Sequence, residues 1–303
     1  MNQFDQFQSA ISLHKISDHV FSFTPDPKYF VGNTPHGGYL LAVMNKALST
    51  VVSHPSSINS NVYYLDRTDP TEAELHVEVI RTSKGSSMGQ VRLIQNGITT
   101  CLYSALCSDF NYMKGYTGLE TPLPEIMHSV PEKDFQVMSY DILKPGSTPS
   151  FIQQLELSIH PDHAWWDRKI SSDVAEARCS AYLELTGGSA DEFVLSYLSD
   201  ILPPVVQNKY GSLGWVPTLS LTANIRQLPT TNKLFIDGIA KDITNGYFEQ
   251  DCNIWDLNGN LVATSRQLAK ILKSEEKLLL VPSFLLYPWG IGECGLENKT
   301  TNS

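Results

Sequence analysis

Two segments of the chain repeat apolar residues at helical spacing, and each is followed by runs in which apolar and polar positions alternate. The first, over about residues 38–53, places Leu40, Val43, Met44, Ala47, Leu48 and Val51 on one arc, with Asn45, Lys46, Ser49 and Thr50 on the opposite one. A glycine-punctuated stretch from Gly32 to Gly38 leads into it. The second covers residues 189–202, where Phe193, Val194, Tyr197, Leu198 and Ile201 recur at helical spacing while Ser196 and Ser199 turn away. Ser189 with Glu192 three residues on predicts a capping box, and Asp191 and Glu192 suit the positive end of the helix dipole. Pro203 and Pro204 disfavour continuation past Leu202, so Asp200 falls in the last turn, at the flank of the apolar arc. There the dipole and any burial both disfavour its anion, which is how a carboxylate becomes a base. The plainer reading is an aspartate that reaches solvent or accepts bonds from the following loop.

Alternation predicts a short strand at 18–23 and longer ones at 59–65, 73–82, 88–95 and 99–107, with Asn96-Gly97 signalling a type I′ hairpin between the last two. From about residue 108 to 149 the character changes, with five prolines and mixed polarity, and reads as a linker. The order then repeats. Strands are expected at 151–159 and 176–185, Gly187-Gly188 opens the second helix, and strands follow at 218–227, 233–243, 247–256 and 260–273. Asn258-Gly259 stands where Asn96-Gly97 stood, and Gly187-Gly188 where Gly37-Gly38 stood, which argues for an internal duplication. A helix followed by antiparallel strands is an α+β pattern in which the sheet must wrap the helix. The expected organisation is a unit at 1–110, a linker at 111–150, a second unit at 151–275 and a tail at 276–303. The tail is apolar from Leu278 to Trp289 but broken by Pro282 and Pro288 and too short to span a bilayer; it is expected to pack on the body or a partner, with disorder beyond Gly295.

Composition narrows the chemistry. Over 303 residues the net charge is -10, which argues against a nucleic-acid or anionic-membrane partner, since either needs a basic face. Five scattered cysteines without metal-ligand spacing fit reduced, buried thiols of an intracellular protein, and no basic region with an apolar run opens the chain, so a cytoplasmic location is expected. There is no phosphate-binding glycine loop, no metal cluster and no Gly-x-Ser-x-Gly elbow, so no metal and no cofactor is expected.

With these residues in hand, the layout resembles the double hotdog fold of the acyl-CoA thioesterase II (TesB-like) family, over roughly residues 18–107 and 151–273. In the first half the likeness rests on Gly37-Gly38, on the stretch Val62 to Leu65, and on Arg81 to Met88 followed by Asn96-Gly97. In the second half it rests on Asp200 in a helix ahead of a proline turn, on a hydroxyl residue of the next strand, taken as Ser220, and on Gln267 after Val262 and Ala263. The resemblance implies two antiparallel sheets, each wrapped around a long central helix, and hydrolysis of an acyl-CoA or other acyl thioester, as in fatty acid metabolism. Asp200 would draw a proton from water while Ser220 and Gln267 hold water and carboxylate in line, without metal or cofactor. Many relatives carry Thr at the hydroxyl position. The first helix has no acidic residue, so one site per chain is implied, with Gly37 and Gly38 offering backbone N–H donors at a helix start. His36 beside them is a candidate substrate contact, or a capping or packing histidine. Two alternatives stay open: a non-hydrolytic hotdog protein that binds or transforms an acyl or polyketide-type thioester, and a binding module with a degenerate pocket. No histidine lies near Asp200 in sequence, which weighs against dehydration. Homo-oligomer formation also stays open.

Overall fold

In the computed structural model, which describes residues 1–138, 149–167 and 176–272, the alternating runs are long antiparallel strands and the helical runs are the helices they enclose. The first half comprises α1 (Gln3–Ala10), β1 (His14–Ser17), β2 (Val20–Phe23), the two-residue strands β3 (Phe30–Val31) and β4 (Thr34–Pro35), α2 (Gly37–Val51), β5 (Ser56–Tyr64), β6 (Ala73–Thr82), β7 (Ser87–Gln95) and β8 (Ile98–Ser108). The second comprises β9 (Gln136–Val137), β10 (Glu156–Ile159), β11 (Arg178–Glu184), α3 (Glu192–Leu198), α4 (Val206–Tyr210), β12 (Thr218–Ile225), β13 (Lys233–Thr244), β14 (Tyr247–Asp256) and β15 (Leu261–Lys270).

Strand order in the main sheet is β1-β2-β6-β7-β8-β5-β12-β15-β14-β13-β11-β10-β9. The run β2-β6-β7-β8-β5 is repeated in reverse as β12-β15-β14-β13-β11, so the α+β double hotdog expectation is met, with the two sheets joined edge to edge. The join is the β5·β12 ladder, where Ser220 faces Tyr63, Leu221 faces Val62 and Thr222 faces Asn61. Its inner face is mostly apolar, with Val62, Leu221 and Ala223 buried and Ser60 buried opposite Ala223. Its outer face is tied by side chains: Asn59 Nδ2 donates to Asn224 Oδ1 at 2.8 Å and Thr222 Oγ1 to Asn61 Oδ1 at 2.8 Å.

The two helices pack on each other inside the curved sheet, and they do so partly through residues that the sequence placed on polar faces. Asn45 is fully buried; its Nδ2 donates to Ser196 Oγ at 3.0 Å and its Oδ1 accepts from Ser57 Oγ at 2.6 Å. Ser199 is buried too. An unsatisfied buried amide is costly, so the two polar faces serve each other where water would otherwise be needed.

Several local expectations are corrected. Ser189 is not the cap of the second helix: Asp191 is, accepting from Phe193 N at 3.1 Å and Val194 N at 2.8 Å, while the Ser189 hydroxyl donates to Asn232 Oδ1. The capping box fails because the Ser189 hydroxyl is engaged by Asn232 while Asp191, extended at the cap position, takes the free N–H groups itself. The helix ends at Leu198, and Asp200 lies in a tight turn just beyond it, its N–H donating to Tyr197 O at 3.3 Å. The predicted strand from residue 151 starts at Glu156; Ser150–Gln154 is a 3-10 turn after Pro149. Asn96-Gly97 does adopt positive φ at both residues, as does Asn245-Gly246 between β13 and β14. Asn258-Gly259 does not, because the Asp256 carboxylate takes the N–H groups of Asn258 and Asn260 and folds a longer loop. Helix α1 had no counterpart in the sequence reading. It buries Phe7, with Ile11 buried just after its end, and crosses to the second half, where Gln8 Nε2 donates to Asp191 Oδ2 at 2.7 Å. Within the expected linker, β9 pairs with β10 at the sheet edge. The apolar tail and the disorder expected beyond Gly295 lie outside the described residues. Among those described, no helix is long and apolar enough to cross a membrane.

Close packing of α2 on the sheet makes a testable demand at Gly89 on β7. A Cβ there would lie 2.5 Å from Leu48 Cδ1 and 2.8 Å from Glu78 O. The leucine can turn but the backbone carbonyl cannot, so Gly89→Ala is expected to lower unfolding free energy by about 1–3 kcal/mol in urea denaturation. An unchanged midpoint would mean that helix and sheet are not held this closely.

Candidate active site

Asp200 sits where the end of one central helix meets the start of the other. Its side chain is 9% exposed, and Oδ2 accepts from Gly38 N at 3.0 Å, so a residue of the second half caps the helix of the first. Helix α2 has no side-chain cap of its own, since the residue at its cap position is His36 and makes no such bond. Glycine is required at both first positions of α2. A Cβ on Gly38 would lie 2.4 Å from Tyr197 O, and one on Gly37 would lie 2.6 Å from Asp200 Oδ2. The Gly37 carbonyl accepts from Tyr64 Oη at 2.7 Å.

Burial raises the Asp200 carboxyl to about 7, opposed by the Gly38 N–H. Burial acts the other way on His36, lowering the imidazole to about 4 against the pull of the Asp200 carbonyl. His36 Nε2 lies 3.1 Å from Asp200 O and 3.7 Å from Oδ2. Because a carbonyl can only accept, Nε2 carries the proton, and in a neutral ring Nδ1 is then a bare acceptor. The imidazole is uncharged near neutrality, so the 3.7 Å approach is not an ion pair. Nδ1 is buried and has no hydrogen-bond partner among the described residues. No histidine lies near Asp200 in sequence; the fold supplies His36 from 164 positions away.

The turn that carries Asp200 is anchored to the strands beneath it. Ser265 Oγ on β15 donates to Ser199 O at 2.7 Å, and Val205 N donates to Gln250 Oε1 on β14 at 3.1 Å. Gln267 is the next inward position of β15 after Ser265, about 7 Å further along the strand. It is buried, and its Oε1 accepts from Thr218 Oγ1 at 2.5 Å. Ser220 does not join it. Ser220 pairs with Leu268 and with the half-exposed Tyr63, whereas Leu221 pairs with Gln267 and the buried Val62, so Ser220 lies on the outer face of the sheet. A register shift between Thr218 and Ser220 is the cause: it turns the threonine inward, beside Gln267, and leaves the serine outward. Sequence alternation alone could not locate a bulge. The signal available was the threonine two residues upstream, right after Pro217, in a family whose hydroxyl residue is often Thr.

The comparisons agree with this architecture. A structure from Alicyclobacillus acidocaldarius, described as a conserved protein of unknown function with hot dog fold, is similar with a TM-score of 0.74 and 19% identity, covering 89% of this chain and 98% of that one. The acyl-CoA thioesterase II TesB2 of Mycobacterium marinum is similar with a TM-score of 0.68 and 13% identity, over 89% of this chain and 98% of its own. An uncharacterized protein of Mycobacterium tuberculosis is 23% identical over 278 residues, 83% of this chain and 91% of its own. Residues 24–108 match the acyl-CoA thioesterase N-terminal domain and residues 127–271 the acyl-CoA thioesterase C-terminal domain, together more than half of the sequence. The chain belongs to the acyl-CoA thioesterase family.

The buried carboxyl has a thermodynamic signature. Its pKa rises from 3.8 unfolded to about 7 folded, so between those values the folded chain holds a proton that the unfolded chain has released. Stability from this group therefore falls as pH rises through that window, and the full penalty applies above it. Asp200→Asn removes the penalty, so the variant is expected to exceed wild type by a few kcal/mol at pH 8, with about 4 as the upper bound, and to lose that advantage near pH 4. Thermal unfolding of both proteins across pH checks it; a constant difference would mean that the carboxyl is not buried as described.

Proposed function

We propose that the protein is a hydrolase of acyl-CoA or related acyl thioesters, using water as nucleophile and Asp200 as its base. The observation that carries this reading is a buried carboxyl raised to about 7 and held against the open start of α2. A base that titrates near working pH combines a useful ionised fraction with real proton affinity. Family membership supports the substrate class. In the proposed reaction, a water oxygen forms a bond to the thioester carbon while its proton passes to Asp200. The developing oxyanion faces the positive end of α2, where the N–H of Gly37 is one of the donors that a helix start leaves without an intrahelical acceptor. Collapse breaks the C–S bond, and the departing thiolate recovers the proton from Asp200. The products are the free acid and the thiol.

Gln267 suits a water-holding role because its oxygen is engaged by the Thr218 hydroxyl, leaving its NH₂ group to donate to the water oxygen. The hydroxyl role expected of Ser220 therefore passes to Thr218, as a residue acting through Gln267. His36, neutral and bonded to the Asp200 carbonyl, fixes the turn that carries the base. One observation favours a second reading, proton transfer on the acyl group without hydrolysis: the bare Nδ1 of His36 could act as the base beside a protonated Asp200.

Thiol release from short, medium, long and aromatic acyl-CoAs separates the two readings. Hydrolysis is expected, with kcat/KM rising through an ascending limb centred near pH 7, the value at which Asp200 titrates. Asp200→Asn is expected to cost about 10²-fold or more in kcat, with KM little changed. Full activity in a folded Asp200→Asn would sink the assignment of the base, and acyl-CoA binding without thiol release would favour the second reading.

The hydroxyl assignment has its own test. Thr218→Ala and Gln267→Ala are each expected to lower kcat by about tenfold, less than loss of the base, since neither accepts the proton. Ser220→Ala is expected to stay within about twofold of wild type. The reverse ranking would return the role to Ser220.

A further inference from the structure

We propose that Tyr64 is a positioning residue whose hydroxyl acts through one peptide group, that between Gly37 and Gly38, to aim and strengthen the N–H donor that holds Asp200. The inference rests on the reading of Asp200 as the base and extends it to a residue with no assigned role. Its geometry is a chain of two bonds across one amide. Tyr64 Oη donates to Gly37 O at 2.7 Å, and the same peptide unit presents Gly38 N to Asp200 Oδ2 at 3.0 Å. Drawing electron density onto a carbonyl oxygen makes the N–H of that amide a stronger donor, the ordinary cooperativity of hydrogen-bond chains. Tyr64 is the inward residue at the end of β5, two positions after the buried Val62, and Oη lies 3.0 Å from where a Gly37 Cβ would stand. The hydroxyl thus also fixes the rotation of this peptide at the mouth of α2.

The groups around Asp200 make that peptide decisive. The titratable side chains facing it are His36 at the start of α2, Tyr64 on β5, Tyr197 on α3 and Cys252 on β14. All four are neutral between about pH 5 and pH 9: burial holds His36 near 4, lifts both tyrosines well above 10 and raises the Cys252 thiol. No cation among the described residues offsets the Asp200 charge at contact distance. Among the described residues, the one hydrogen bond that favours its ionised form comes from Gly38 N–H. Whatever weakens that donor must therefore raise the carboxyl further.

The experiment reads the Asp200 titration directly, so that it does not depend on hydrolysis. With aspartate carboxyl groups labelled by ¹³C and the Asp200 signal assigned by its loss in Asp200→Asn, the midpoint in Tyr64→Phe is expected to rise by about half a pH unit, as loss of one cooperative bond to a charged group would give. Replacing Tyr64 by 3-fluorotyrosine, a stronger donor of the same shape, is expected to lower it. If the protein hydrolyses thioesters, kcat/KM of Tyr64→Phe should fall by about threefold at pH 6 and recover at pH 9. Tyr63→Phe, on the half-exposed outer face, should change neither quantity. An unmoved midpoint in Tyr64→Phe would overturn the proposal. So would a loss of rate equal at every pH, which would make Tyr64 a substrate contact. Should Tyr64→Phe fail to fold, the sign of the 3-fluorotyrosine shift decides. If the chain hydrolyses nothing while the Asp200 midpoint still moves, the proposed function fails and the positioning role stands.

Discussion

The last turn of one central helix lies in backbone contact with the first turn of the other, and the chemistry of the chain depends on that contact. Two consecutive glycines make it possible: a methyl group on Gly38 would meet Tyr197 O at 2.4 Å, and one on Gly37 would meet the Asp200 carboxylate at 2.6 Å. Once the backbones are this close, Asp200 becomes the cap of α2, which has no other side-chain cap. Cap and proposed base are one carboxylate. Among the described residues the helix start supplies the only nearby compensation for its charge, and that partial charge falls short of what water would give.

The same geometry explains why a duplicated fold carries one candidate site. The two helices are related by the repeat, but their starts are satisfied differently. At α3 the cap is Asp191 from its own chain segment, and the second oxygen of that carboxylate is bonded by Gln8 of α1. On the facing side of α2 stands Lys46, whose Nζ lies 4.4 Å from the Phe193 ring centroid. That junction is closed by a local acid and a cation over an aromatic face. The start of α2 has neither, and is capped only from across the interface. An acid on α2 would have found no free helix start to face, which accords with its absence from the first helix.

The sequence made the scaffold legible and the site only in part, for physical reasons. Period-2 alternation located the long strands within a few residues because half-buried strands must alternate. Gly37-Gly38 and Asp200 stood out because each breaks a local rule, glycine inside a helix start and a carboxylate against an apolar arc. What failed was information that is not local. Asn45 and Ser196 fall opposite the apolar arcs, and pattern alone cannot tell a polar face that meets water from one that meets another polar face. The pattern points to Ser220 as the inward hydroxyl, but a one-residue register shift reverses which side chains face inward, and nothing in the alternation of residues 218–225 announces it. Phe7, with one buried aromatic in an eight-residue helix, carried too little periodicity to declare α1.

Burial of this site acts with opposite sign on its two titratable partners, and that opposition makes the arrangement usable. Desolvation lifts Asp200 to about 7 and drops His36 to about 4. Had the imidazole stayed near its ordinary value and shared a proton with the carboxylate, an ion pair would have held Asp200 in its ionised form well below neutrality, leaving a weak base. Bonding Nε2 to the Asp200 main-chain carbonyl gives the histidine a structural task that needs no charge. Among the described residues the aspartate then titrates alone, against one peptide N–H, with the ionisable side chains around it neutral. A single carboxyl with proton affinity near neutrality suits the proposed attack by water on a thioester, and the cost is the stability forfeited above pH 7 by keeping that charge out of water.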